Sequence, residues 1–280
     1  MERKVDKGGS SGLRRLMVLP SPQQLFDLTG KHALVTGGAT GLGRMIAHAL
    51  LSAGAAVTIT SRKGDAVARS ADELSQFGHC TGLAADLSTP EGVGELAEAY
   101  RLQSEPLDIL VNNSGKTWGA PLESFPDRAW PSVMAVNVQA PFKLVQEVLP
   151  LLAERASPVD PARIVNLGSI AGRIVEPLQA YSYSASKAAI HQLSRQLAAD
   201  LASRHITVNA LIPGYFPTSM TAHLRDEEDK PHGMLEGHIP LGRLGLPSDI
   251  AGAILFLTSR AGSYVTGSEL IIDGGLSGCR

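Results

Sequence analysis

Residues 32–53 read HALVTGGATGLGRMIAHALLSA. A short apolar run enters a glycine-rich octet directly, and an Ala/Leu-rich pattern with helical spacing follows at once. Such a stretch predicts a strand, a tight turn and a helix, in that order. The same alternation recurs down the chain. HALVT (32–36), AVTIT (56–60), CTGLA (80–84), DILVN (108–112), RIVNL (163–167), ITVNAL (206–211) and ELIID (269–273) read as strands. Several are apolar at consecutive positions, as strands covered on both faces are. The segments between them, among them AAIHQLSRQLAADLA, carry helical periodicity. Alternating strands and helices imply a doubly wound, seven-stranded parallel α/β sheet with helices on both faces, built as a single domain.

Within the octet, Gly37, Gly41 and Gly43 are spaced G-x-x-x-G-x-G. Glycine there allows tight turns and close approach of a phosphate, and the following helix N-terminus offers free N–H groups. Placed after the first strand, the loop reads as a dinucleotide site of a Rossmann fold, although its spacing is not the commoner G-x-G-x-x-G. The end of the second strand should meet the adenosine ribose. It carries Ser61, Arg62 and Lys63 instead of an acid. A guanidinium suits a 2′-phosphate, so Arg62 favours NADP(H) over NAD(H), the alternative being a solvated surface arginine. Asp86, just after the third strand, is placed either to accept from the adenine amino group or to cap the next helix, a task open equally to Ser88 or Thr89.

The stretch YSYSASK (181–187) holds two tyrosines and a lysine. Residues four apart share a helix face, so Tyr183 can stand over Lys187, whereas Tyr181 meets Ala185. A nearby ammonium favours phenolate and should lower the tyrosine pKa from about 10. The pair can then protonate an alkoxide. Tyr181 is expected to pack beside the pocket mouth or in the sheet–helix seam. Ser169 follows the strand RIVNL, at the strand end where parallel sheets gather ligands.

Taken together, TGGATGLG, NNSG (112–115), Asn137 in MAVNVQAPF, Ser169, Tyr183, Lys187, IPG (212–214) with Thr218, and VTGSELIIDGG (265–275) resemble the short-chain dehydrogenase/reductase family over residues 28–280. The resemblance implies that Tyr183 is the general acid and that Lys187 lowers its pKa and holds the nicotinamide ribose. It implies that Ser169 positions a carbonyl and that Asn137 keeps a water in a proton relay. It also implies cofactor contacts at Thr40, Leu42, Leu87, Asn113, Ser114, Gly115, Pro213, Gly214 and Thr218, beside Gly37, Gly41, Gly43, Ser61, Arg62, Asp86, Tyr183 and Lys187. Two positions depart from the family. Thr40 stands where NADP-preferring loops often carry a base, and the span from Ser169 to Tyr183 is about one residue longer than usual. KTWGAPLESFP, YSYSASKAAIHQLSR and PGYFPTSMT look most like bacterial 3-oxoacyl reductases of the rhamnolipid-pathway type. The implied reaction is NADPH-dependent reduction of a 3-oxoacyl thioester or related hydrophobic ketone. Sugar or polyol dehydrogenation with the same residues is the alternative, and a non-catalytic, cofactor-sensing regulator is the more distant one. Family members form homotetramers or homodimers, and the same is expected here.

The rest of the sequence bounds what else the chain does. With 280 residues, 44% apolar, and a net charge of −2, it can bury a large core and has no electrostatic drive towards nucleic acid or an anionic membrane. Two distant cysteines, Cys80 and Cys279, suit a reduced, cytoplasmic protein. No apolar run reaches the roughly 20 residues a membrane helix needs. Residues 1–28 are read as a disordered N-terminal extension, 29–280 as the domain, and 215–240 as a polar surface lid. Gly115-Lys116-Thr117 is not a P-loop, because Leu110 stands where the motif needs glycine. His232, Glu236 and His238 lack H-E-x-x-H spacing, so no metal is expected.

Overall fold

The computed structural model describes residues 19–103, 105–176, 178–218, 221–222, 226, 231–235 and 237–279. All seven expected strands form: β1 (His32–Val35), β2 (Ala56–Ser61), β3 (Cys80–Ala84), β4 (Ile109–Asn112), β5 (Ala162–Leu167), β6 (Ile206–Pro213) and β7 (Glu269–Ile272). They make one sheet in the order β3-β2-β1-β4-β5-β6-β7, with every neighbour parallel. The order reverses between β1 and β4, and the crevice at such a switch point is where ligands bind in open α/β sheets.

Side chains of successive strand residues point to opposite faces, so each strand feeds two cores. Val35, Ile59 and Val111 join one core with Ile46 and Leu50 of the helix α2 (Gly41–Ser52). Leu34, Leu110 and Ile164 join the other with residues of α4 (Pro90–Arg101) and α6 (Ala140–Glu154). Burying one such side chain fully contributes roughly 1.5–3 kcal/mol. Helices α3 (Gly64–Leu74) and α8 (Pro247–Thr258) cover the first face, and α7 (Tyr181–Leu201) the second. Helix α5 (Ala129–Met134) runs into α6 through one π turn at Ala135–Gln139.

Two sequence boundaries shift. Of the extension 1–28, positions 1–18 lie outside the described residues, but the remainder is structured. Ser21 caps a short helix α1 (Pro22–Phe26) through a reciprocal capping box with Gln24. Leu28 is 2% exposed, packs in the first core and donates its N–H to Ala53 O at 2.8 Å. The fold therefore begins before Thr29. Within the lid 215–240, positions 219–220, 223–225, 227–230 and 236 lie outside the described residues, Glu236 among them. The described part is not simply a polar surface insertion: Phe216 is buried in the first core, and Leu235 and Ile239 bury with Leu244 against Tyr215.

Candidate active site

The glycine loop is shaped by backbone that only glycine tolerates easily. Gly37 has φ +64° and Gly41 φ +54°. At Gly43 the reason is space: a Cβ would lie 2.3 Å from Gly37 O and 2.4 Å from Asn113 Nδ2. Asn113, at the end of β4, donates from Nδ2 to Thr36 O (2.9 Å) and Gly37 O (3.1 Å). The Thr36 hydroxyl in return accepts the N–H groups of Asn113 and Ser114, each at 3.0 Å. These bonds stitch the loop to the neighbouring strand across the switch point. Thr40 is the N-cap of α2, and its side chain makes no capping bond.

One cavity of about 680 Å³ runs along the C-terminal ends of the strands. Every site position expected from the sequence lines it except Asn137, whose neighbour Val136 does. At one end Arg62 and Asp86 flank it. Asp86 does not cap α4; Thr89 does, accepting from Gly92 N at 3.1 Å. Asp86 instead turns back to accept from Ser88 N at 3.0 Å, and that bond, helped by the charges of Arg62 and Lys116, holds its carboxyl below the usual carboxylate range.

At the other end Ser169, Tyr183 and Lys187 converge. Ser169 begins a 3-10 turn (Ile170–Gly172), and its Oγ accepts from Ala171 N at 3.2 Å. The Ser169 hydroxyl is near enough to Tyr183 to act on its phenol. Lys187 is 5% exposed and donates to Leu167 O at 2.7 Å, its Nζ lying 5.7 Å from the centre of the Tyr183 ring. Burial lowers Lys187 to about 8. The expected lowering of Tyr183 is not found. Burial raises its phenol above the ordinary value, the Ser169 hydroxyl opposes that rise, and the charge of Glu176 adds to it. Desolvation dominates, and the Lys187 ammonium is itself held by a carbonyl. Tyr181 lies outside the cavity lining, 37% exposed, edge-on to Phe125 with centroids 5.2 Å apart.

Asn137 sits in the π turn, behind the cavity wall. Its Oδ1 accepts from Lys116 N at 2.8 Å, and Nδ2 donates to Lys116 O and Ser186 Oγ, each at 2.9 Å. It thus ties the loop after β4 to α7 beside Lys187. A π turn adds a residue to the helix and turns its side chains out of register, and such turns occur often at functional sites.

Two residues of this end were not foreseen. His191 is 3% exposed, and its Nε2 accepts the Ser169 N–H at 3.3 Å. Burial drives its pKa down to about 4, so it is the neutral imidazole behind Ser169. Its place four residues after Lys187, on the same helix face, was the available signal. Glu176 lies in the lengthened segment between Ser169 and Tyr183. It lines the cavity and accepts a hydrogen bond from the Tyr215 hydroxyl.

These features suit a dinucleotide: a glycine cradle that a Cβ would fill, an N-cap whose side chain leaves the helix N-terminus open, and an arginine at the end of β2. Residues 37–277 match the family model described as Enoyl-(Acyl carrier protein) reductase. Over 250 residues, covering 89% of this chain and 97% of the relative, the chain is 47% identical to the rhamnolipids biosynthesis 3-oxoacyl-[acyl-carrier-protein] reductase of Pseudomonas aeruginosa. It is 40% identical over 253 residues to galactitol 2-dehydrogenase (L-tagatose-forming) of Cereibacter sphaeroides, covering 90% of this chain and 96% of that one. The solved Pseudomonas aeruginosa RhlG/NADP active-site complex is similar with a TM-score of 0.86 and 47% identity, over 91% of this chain and 99% of that chain.

Proposed function

The chain belongs to the short-chain dehydrogenase/reductase family and is an oxidoreductase, and we propose that it uses NADPH to reduce the ketone of 3-oxoacyl thioesters or similar hydrophobic ketones. The observation that carries this reading is the convergence of Ser169, Tyr183 and Lys187 at one end of a cavity whose other end holds Arg62. A relative of 47% identity, named for 3-oxoacyl reduction, supports the substrate class. The galactitol relative keeps a neutral polyol or ketose as the second reading.

Bound NADPH supplies the hydride for the carbonyl carbon. The glycine loop and the open N-terminus of α2 would cradle its phosphates, and Arg62 would hold the 2′-phosphate. The substrate oxygen meets two hydroxyls, Ser169 and Tyr183. Ser169 orients it by hydrogen bonding. Tyr183 delivers the proton as negative charge develops, the general-acid role. A phenol raised by burial is fully protonated at neutral pH, the form reduction requires. Lys187 would hold the ribose hydroxyls with the donors Leu167 leaves over, and its charge stabilises the phenolate after proton transfer. For Asn137, both amide hydrogens are spent on Lys116 and Ser186, so an Oδ1 lone pair is what remains to hold a relay water.

No helix among the described residues is long and apolar enough to cross a membrane. The proposal includes a cytoplasmic enzyme assembled as a homotetramer or homodimer. Half-exposed Trp130 and Phe142, on the helical run α5–α6, are apolar area such an assembly would cover.

The deciding experiment follows cofactor oxidation by the purified protein with acetoacetyl thioester and with a panel of ketoses, comparing NADPH and NADH. Thioester turnover with NADPH is expected. Turnover confined to ketoses moves the enzyme to the polyol reading, and binding of NADPH without any turnover overturns the reductase reading.

A further inference from the structure

Among the described residues, the reacting end of the cavity carries one carboxylate. Among its lining residues the acids are Asp86, at the Arg62 end, and Glu176, beside Tyr183. Glu176 hangs from the segment joining the 3-10 turn to α7. That segment is fixed near its end, where Gln179 takes φ +47° and its carbonyl accepts from Ala120 N at 3.3 Å. The partner of the Glu176 carboxylate is the neutral Tyr215 hydroxyl, and no ion pair forms on it among the described residues. The two lysines nearest the reacting end are engaged elsewhere, Lys187 with Leu167 O and Lys116 with Ser132 Oγ. Glu176 is half-buried and has no counter-ion among the described residues; burial raises its carboxyl above the usual range, the Tyr215 bond opposes that rise by favouring the carboxylate, and the ionised form faces the space a substrate must enter.

Building on the carbonyl-reductase reading, we propose that Glu176 sets the charge preference of the substrate mouth. It disfavours ketones that carry a carboxylate close to the reacting carbonyl and admits neutral ones, such as 3-oxoacyl thioesters or uncharged ketoses. Two like charges about 6 Å apart at an effective dielectric near 20 repel strongly enough to change affinity by an order of magnitude or more. A neutral ketone meets no such opposition.

The test uses the protein loaded with NADP⁺, in which binding is read without turnover. Acetoacetate and methyl acetoacetate, which differ by one charge, are titrated calorimetrically into the wild type, Glu176→Gln and Tyr215→Phe. The wild type should bind the ester more tightly. Glu176→Gln should tighten acetoacetate by at least about fivefold while moving the ester by no more than about twofold. Tyr215→Phe removes the hydrogen bond and keeps the charge, so the wild-type ratio should persist. A Glu176→Gln variant that shifts both ligands alike or neither overturns the proposal. So does a Tyr215→Phe variant that reproduces the glutamine ratio, since the role would then be loop anchoring. A wild type that binds both equally, or neither, overturns it too. NADPH oxidation with the neutral thioester tests the reductase reading separately: a charge-dependent ratio without turnover would remove that reading and leave this one standing.

Discussion

Tyr183 and Lys187 stand one turn apart on α7, with the lysine nitrogen 5.7 Å from the centre of the phenol ring. The ammonium stands at the phenol face and donates to Leu167 O, and the phenol is left as the proton donor. Tyr183→Phe should therefore lower kcat by about 10²–10⁴-fold, the usual worth of a general acid, while NADPH affinity changes little. Tyr181→Phe should stay within about twofold of wild type, because loss of an exposed hydroxyl leaves its edge contact with Phe125 intact. Steady-state kinetics and NADPH fluorescence titration on both variants check this, and a dead Tyr181→Phe would reverse the assignment.

That assignment was legible because helix geometry converts a spacing of four into a shared face. The strands were legible for a similar reason: both faces of β1, β4 and β5 are buried, so apolar residues stand at consecutive positions, as in Ala33–Val35, Ile109–Val111 and Ile164–Val165. The sign of the Tyr183 shift was not legible, since spacing reports which groups are neighbours and not how much water they lose. The π turn at Asn137 was equally hidden, because one extra residue in a helical turn leaves no mark in composition. Glu176 lies in irregular chain, where no periodicity says which way a side chain points. Leu28 looked like tail because one buried leucine in a polar stretch makes no pattern.

His191 and Lys187 give the stability of the ligand-free protein two pH windows. Both have folded pKa values below their ordinary ones, about 4 against 6.5 and about 8 against 10.5. In each window the unfolded chain binds more protons, so stability rises with pH. His191 should weaken the fold by about 3 kcal/mol as pH falls from 6.5 to 4. Lys187 should strengthen it by about 3 kcal/mol as pH rises from 8 to 10.5. Urea unfolding across pH should lose the acid step in His191→Gln and the alkaline step in Lys187→Met. If both steps survive in the variants, other groups carry them.

Glycine at position 43 is required by contact, not by backbone angle. A Cβ there would sit 2.3 Å from Gly37 O and 2.4 Å from Asn113 Nδ2, so Gly43→Ala must break the Asn113 stitch or move the loop. It should cost about 1–3 kcal/mol and reduce NADPH affinity at least about tenfold. Gly41→Ala is the contrast. Its Cβ would touch only Thr218, at 3.5 Å and beyond, and the cost comes from φ +54°. Asn113→Ala should mimic Gly43→Ala, because it leaves Thr36 O and Gly37 O without their amide donor. Denaturant melts and cofactor titrations on the three variants separate contact from backbone strain.

The proposed reading gives Arg62 the choice of cofactor. Its guanidinium is exposed at the end of β2, lines the cavity beside Asp86 and holds no ion pair among the described residues. A free carboxylate at Asp86 would repel a 2′-phosphate if nothing stood between them, and Arg62 supplies the compensating charge. Thr40, a neutral residue in the loop, offers none. The NADPH preference should thus rest on one side chain. A charge-assisted hydrogen bond to phosphate is worth about 1.5–3 kcal/mol, so Arg62→Ala should raise the KM for NADPH by about 10–100-fold. NADH has no 2′-phosphate, and its KM should stay within about threefold. Arg62→Lys keeps the charge and loses the fork, and should fall between the two. Equal loss of both cofactors in Arg62→Ala would mean that the arginine shapes the β2 end and does not read the phosphate.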